Sequence, residues 1–137
     1  MKQITAEEGL ALIEKYQHKN LKRLDPNDAT ATYKALMKNH QYAYHFEAST
    51  DEPSYYGANR THLLLEKIEP EIKALGLHPV YYHVIVLPTS RAMFMIDDFD
   101  ALGDFMQAND GIEKDWTLHE IEGDSCIITM HIIAIMD

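Results

Sequence analysis

Residues 79–123 read PVYYHVIVLPTSRAMFMIDDFDALGDFMQANDGIEKDWTLHEIEG, and this stretch decides the expected fold. The apolar, β-branched run at 80–87 predicts a strand, Pro88-Thr89-Ser90 is short enough for a hairpin, and 91–97 predicts the returning strand. Asp97, Asp98 and Asp100 follow at a helix N-terminus, where negative charge is favoured. Phe99, Leu102, Phe105 and Met106 recur on one face of that helix, and Asn109-Asp110-Gly111 ends it. A further strand is expected over 116–122. The order is strand, turn, strand, helix, strand.

Upstream, the period at 42–47 is two: Tyr42, Tyr44 and Phe46 face one way, and Ala43, His45 and Glu47 the other. The polar segment STDEPSYYGAN at 49–59 reads as a loop over one end of the sheet. Asn59 is placed to cap a helix with an apolar stripe at Leu64, Ile68, Ile72 and Leu75, stopped by Gly76. Pro70 predicts a kink near 66–70, or two short helices. These elements complete an α+β fold with a ferredoxin-like β-α-β-β-α-β sheet, a scaffold that hosts unrelated functions.

Two additions flank this core. After a turn at Gly123-Asp124, residues 126–136 predict a fifth strand, apolar on both faces and so expected to be covered on both. At the N-terminus, Thr5 and Glu8 form a capping box for a helix to about residue 17. Asp25-Pro26 opens a second helix to about Asn39, with Ala29, Tyr33, Leu36 and Met37 on one face. The expectation is one domain over 1–137, with a helical extension at 1–40 and an α+β core at 41–137.

Composition bounds the function classes. With 22 acidic and 12 basic residues the formal charge is −10, which repels phosphate backbones and anionic lipid. Nucleic acid and membrane partners are therefore not expected. Cys126 is the single cysteine, so no intramolecular disulfide forms. It sits beside Ile127 and Ile128 as a small hydrophobe. The apolar run at 127–136 is half the roughly 20 residues of a membrane helix, and residues 1–16 lack a signal-peptide pattern. A soluble cytoplasmic protein is expected.

The segment HPVYYHVIVLPTSRAMFMIDDFDALGDFM resembles small proteins of the dimeric α+β barrel superfamily, whose second hairpin commonly ends in an acidic pair followed by a D-x-x-A-L-x-x-F helix. The resemblance covers 42–122. It implies a homodimer whose two sheets pair face to face around a cavity, an enzyme site in some members. The His, Asn and Trp constellation of the haem-degrading members has no counterpart here, so that activity is not carried over.

Motifs for serine hydrolases, P-loop enzymes and Rossmann oxidoreductases are absent. The candidates for chemistry are therefore individual side chains. Eight histidines occur in the chain, with His45, His83, His119 and His131 on expected strands. His45, His83 and His119, with Glu47 as a carboxylate, are candidate ligands of a transition metal. His45 and Glu47 are alternatively a general acid and base, with Tyr55, Tyr56 and Arg60 orienting an anionic ligand and Trp116 stacking it. Three functions follow: binding of a small ligand between the sheets of a dimer, a non-catalytic acidic protein-interaction module, or transition-metal binding. Ordinary packing and surface pairing explain each of these side chains equally simply.

Overall fold

A computed structural model describes residues 1–17, 30–54 and 58–137. It is α+β, with a five-stranded mixed sheet of order β1-β2-β5-β3-β4. The strands are β1 (Lys2–Thr5), β2 (Tyr42–Thr50), β3 (Pro79–Pro88), β4 (Glu113–Leu118) and β5 (Ile128–Met136). The longer helices are α1 (Ala6–Gln17), α2 (Ala31–Met37), α3 (Arg60–Ala74) and α4 (Asp100–Ala108).

The expected capping box at the head of α1 is formed. Thr5 N donates to Glu8 Oε1 and Glu8 N donates to Thr5 Oγ1, both at 3.1 Å. The four residues before it were not anticipated as a strand, yet they pair antiparallel with β2, Lys2 opposite His45 and Ile4 opposite Ala43. The N-terminal region is thereby built into the sheet. The expected Asp25-Pro26 helix start lies outside the described residues, and α2 occupies the later part of that expectation. Pro70 is accommodated inside one helix, α3, rather than dividing it in two.

The β-α-β-β-α-β succession is not formed, because 91–97 is not a strand. Short 3-10 turns occupy Ser90–Ala92 and Ile96–Phe99 instead. The cause is a buried ion pair. Arg60 donates to the Ala92 and Met93 carbonyls at 2.7 and 3.1 Å, and Asp98 Oδ2 accepts Met95 N at 2.9 Å. Backbone groups that a hairpin ladder would use are thus satisfied by side chains, so β3 continues through α4 into a parallel partner, β4.

β5 takes the centre of the sheet, antiparallel to both β2 and β3. Its position explains its composition. One face packs Phe46, Val84 and Ile132 against Leu64 and Ile68 of α3 and Phe105 of α4. The other packs Ile85, Ile133 and Ile135 with Ile13 of α1 and Tyr33 of α2. Both faces of β5 are covered, as its two-sided apolar sequence requires. Among the described residues no helix is long and apolar enough to cross a membrane.

Candidate functional site

On the sheet face carrying Ile13 and Tyr33, alternation brings forward Ala43, His45 and Glu47 of β2 and His131, Ile133 and Ile135 of β5. Glu47 is the direct cross-strand partner of His131, and His45 is that of Ile133. An antiparallel pair sets diagonal neighbours within reach of long side chains, so His45, Glu47 and His131 meet near the middle of the two strands.

His45 Nε2 and His131 Nδ1 are 2.8 Å apart, with ring centroids at 5.0 Å and planes 27° from parallel. One donor atom from each of His45, Glu47 and His131 lies within 4.8 Å of the other two. His131 is buried, His45 half-buried and Glu47 exposed, so the group is reached from solvent on its carboxylate side. Tyr16 of α1 stacks on His131 at 6.3 Å and lies at the same distance from the His119 ring. Lys15 Nζ stands 5.3 Å over the Tyr16 ring.

Burial lowers the pKa of both His45 and His131, against the opposing pull of the Glu47 charge. The proximity of Lys2 further lowers His45, and the proximity of His45 and Lys15 lowers His131. Both rings are therefore biased toward neutral imidazole. At 2.8 Å two such nitrogens hold one proton between them in a hydrogen bond. Two neutral imidazoles with a carboxylate are the donor set of open, exchangeable transition-metal sites.

A second polar group lies deeper on the same face. Tyr81 Oη donates to Asp115 Oδ2 at 2.8 Å and meets His83 Nδ1 at 3.1 Å, while His83 Nε2 meets Thr117 Oγ1 at 3.0 Å. A phenol has one proton to give, and here Asp115 receives it. His83 Nδ1 must then be the protonated nitrogen and Nε2 the acceptor from Thr117. Burial drives the His83 pKa down to about 4, the Asp115 charge opposing it. His83 is fully buried and fully engaged.

The sequence candidates separate accordingly. His45 and Glu47 belong to one group, whereas His83 belongs to the Tyr81 network and His119 lies beside Tyr16, outside the three-donor group. Arg60 is not free to orient an anion. It is 1% exposed, and its Nη2 and Nε donate to Asp98 at 2.7 and 2.9 Å. Trp116 projects from the opposite face, edge-on to Phe99 at 5.7 Å. Tyr55 and Tyr56 lie outside the described residues.

His131 is the member that sequence reasoning left out of the site. A signal for it existed: on one face of β2 the polar positions are His45, Glu47 and Ser49, and the polar positions on β5 are Thr129 and His131. Antiparallel pairing matches Ser49 to Thr129 and Glu47 to His131.

Comparison with protein-family models finds no family that matches, and no curated protein matches the chain.

Proposed function

We propose that the protein binds a divalent transition metal ion through His45 Nε2, His131 Nδ1 and the Glu47 carboxylate. The observation that carries this reading is the convergence of donors from those three residues within 4.8 Å of one another, two of them on β2 and the third on its neighbour β5. Nitrogens bound tetrahedrally to one zinc stand roughly 3.3–3.4 Å apart. The 2.8 Å separation of the imidazole nitrogens needs only a small side-chain rotation to reach that value. Three protein ligands leave a coordination position open, and the exposed side of Glu47 is where a water or small ligand would reach it.

This reading absorbs the acid-base alternative, because His45 presents Nε2 to His131 rather than to open solvent. A pocket enclosed between the sheets of two subunits has less support. Ile13 and Tyr33 already pack on this sheet face, and α3 and α4 cover the other.

The test is thermal unfolding of metal-free protein with and without zinc chloride. Wild type is expected to gain about 5 °C or more when free zinc exceeds its dissociation constant a hundred-fold. His131→Ala and Glu47→Gln should lose most of that gain, while His119→Ala keeps it. Equal zinc responses in wild type and His131→Ala would reduce the pair to a hydrogen bond between neighbouring strands.

A further inference from the structure

Among the described residues, four of the seven exposed large apolar side chains fall on the 93–96 segment and on β4. Ile96 is 84% exposed, Met93 66%, Trp116 53% and Met95 48%. Phe94 stands edge-on to Phe99 at 4.8 Å and Phe99 edge-on to Trp116 at 5.7 Å, so the aromatic surface runs on from the 93–96 segment to β4. Between α4 and β4 a groove of about 220 Å³ is lined by Phe99, Leu102, Gly103, Met106 and Trp116. That is below the roughly 300–1,000 Å³ of small-molecule sites and suits one side chain.

The exposed segment is held, not loose. Met93 adopts a left-handed backbone, φ 49°, which a side chain with a Cβ adopts only when its surroundings impose it. Its carbonyl accepts Arg60 Nη2, and Arg60 is in turn fixed by Asp98. Strain and a buried ion pair thus maintain a solvent-facing apolar ridge. Beside it β4 is the last strand of the sheet, its outer edge without a strand partner among the described residues. An unpaired edge next to an apolar groove is the arrangement that accepts an added strand.

Charge selects the occupant. Asp100, three residues before Gly103, shares its helix face, Asp104 follows it, and both are exposed, as is Glu113 on β4. Lys114, the basic residue of β4, is engaged by the Asn109 and Ile112 carbonyls at 2.9 and 3.0 Å. The rim is acidic on a chain of formal charge −10. A second copy of this chain would bring like charges together, whereas a basic segment would meet opposite ones.

We infer that the β4 edge and the Phe99–Trp116 groove dock an extended, basic segment of another protein, with one bulky apolar side chain seated over Gly103 and Lys or Arg residues against Asp100, Asp104 and Glu113. The site is independent of the histidine group on the opposite face.

The probe is the acetylated peptide Lys-Val-Lys-Leu-Lys-Val-Lys, followed by the fluorescence of Trp116, the chain's single tryptophan, and by amide exchange over 113–118. Saturable binding with a blue shift and slowed exchange of β4 amides is expected, with no response to the peptide bearing Glu in place of Lys. Gly103→Leu fills the groove, and because a Cβ at Gly103 meets no atom within 4 Å, that variant is expected to keep the fold, which its unfolding midpoint checks. It should weaken binding at least tenfold. Undiminished binding by Gly103→Leu, equal binding of the acidic peptide, or no binding by wild type would each overturn the proposal. So would concentration-dependent self-association that slows the same β4 amides without peptide, since the occupant would then be a second copy.

Discussion

His45 Nε2 and His131 Nδ1 face each other at 2.8 Å across the β2–β5 pair, although 86 residues separate them in sequence. The contact depends on register: Glu47 opposite His131 places His45 on the adjacent diagonal, and a slip of β2 by one residue would send His45 and Glu47 to the face away from His131. Burial keeps both rings poor in protons, and the exposed carboxylate supplies the charge that a cation requires.

Because the pKa of His83 is lowered, the neutral ring is what folding retains. Between about pH 4 and 6.5 the unfolded chain holds more protons at this position than the folded chain. Stability should therefore be full above pH 6.5 and fall as pH drops toward 4, by up to on the order of 3 kcal/mol. His45 and His131 act in the same direction. Urea midpoints measured at pH 7.5, 5.5 and 4.5 should decline, and His83→Gln should flatten the slope while lowering stability at pH 7.5. A flat profile in wild type would contradict a buried neutral His83.

The Arg60–Asp98 pair fixes the segment at which the chain leaves the hairpin path. Asp98 Oδ1 also accepts Arg60 N at the head of α3, and Asn59 Oδ1 accepts Ala101 N near the head of α4, so the two helices exchange caps. Asp98→Ala should cost about 3–5 kcal/mol, since it leaves a buried guanidinium without its counter-charge. The double replacement Arg60→Met with Asp98→Ala should cost clearly less than the sum of the single changes. Additive costs in denaturant titrations would show that the two side chains act separately.

Gly9 and Gly103 make opposite predictions for the same substitution. A Cβ on Gly9 would come within 2.2 Å of Tyr33 Oη, whose hydroxyl donates to the Ala6 carbonyl at 2.7 Å. Gly9→Ala must separate α1 from α2 and should destabilise by about 1–3 kcal/mol. Gly103 opens to space inside α4, so Gly103→Ala should stabilise by about 0.5–1 kcal/mol. Thermal unfolding of the two variants reads both signs.

What the sequence disclosed was local. Thr5 with Glu8, the stripe through Leu64 and Ile68, and the two-sided apolar run of β5 each state their structure within a few residues, and those elements form. The segment 91–97, expected as the returning strand, has no ladder to join, because Arg60, some 30 residues away, takes the Ala92 and Met93 carbonyls. Lys2–Thr5 was too short to show a period, and it is a strand only through pairing with β2. The site divided in the same way. His45 and Glu47 were visible as neighbours on one strand, whereas their partner depended on strand order, which placed His131 beside them and drew His83 into the Tyr81 network.

The most direct test of the metal reading is titration of metal-free protein with cobalt(II) at pH 7.5, followed by visible absorption. A d–d band that saturates at one equivalent in wild type and is absent in His131→Ala is the predicted result. No band in wild type, or the same band in His131→Ala, would contradict it.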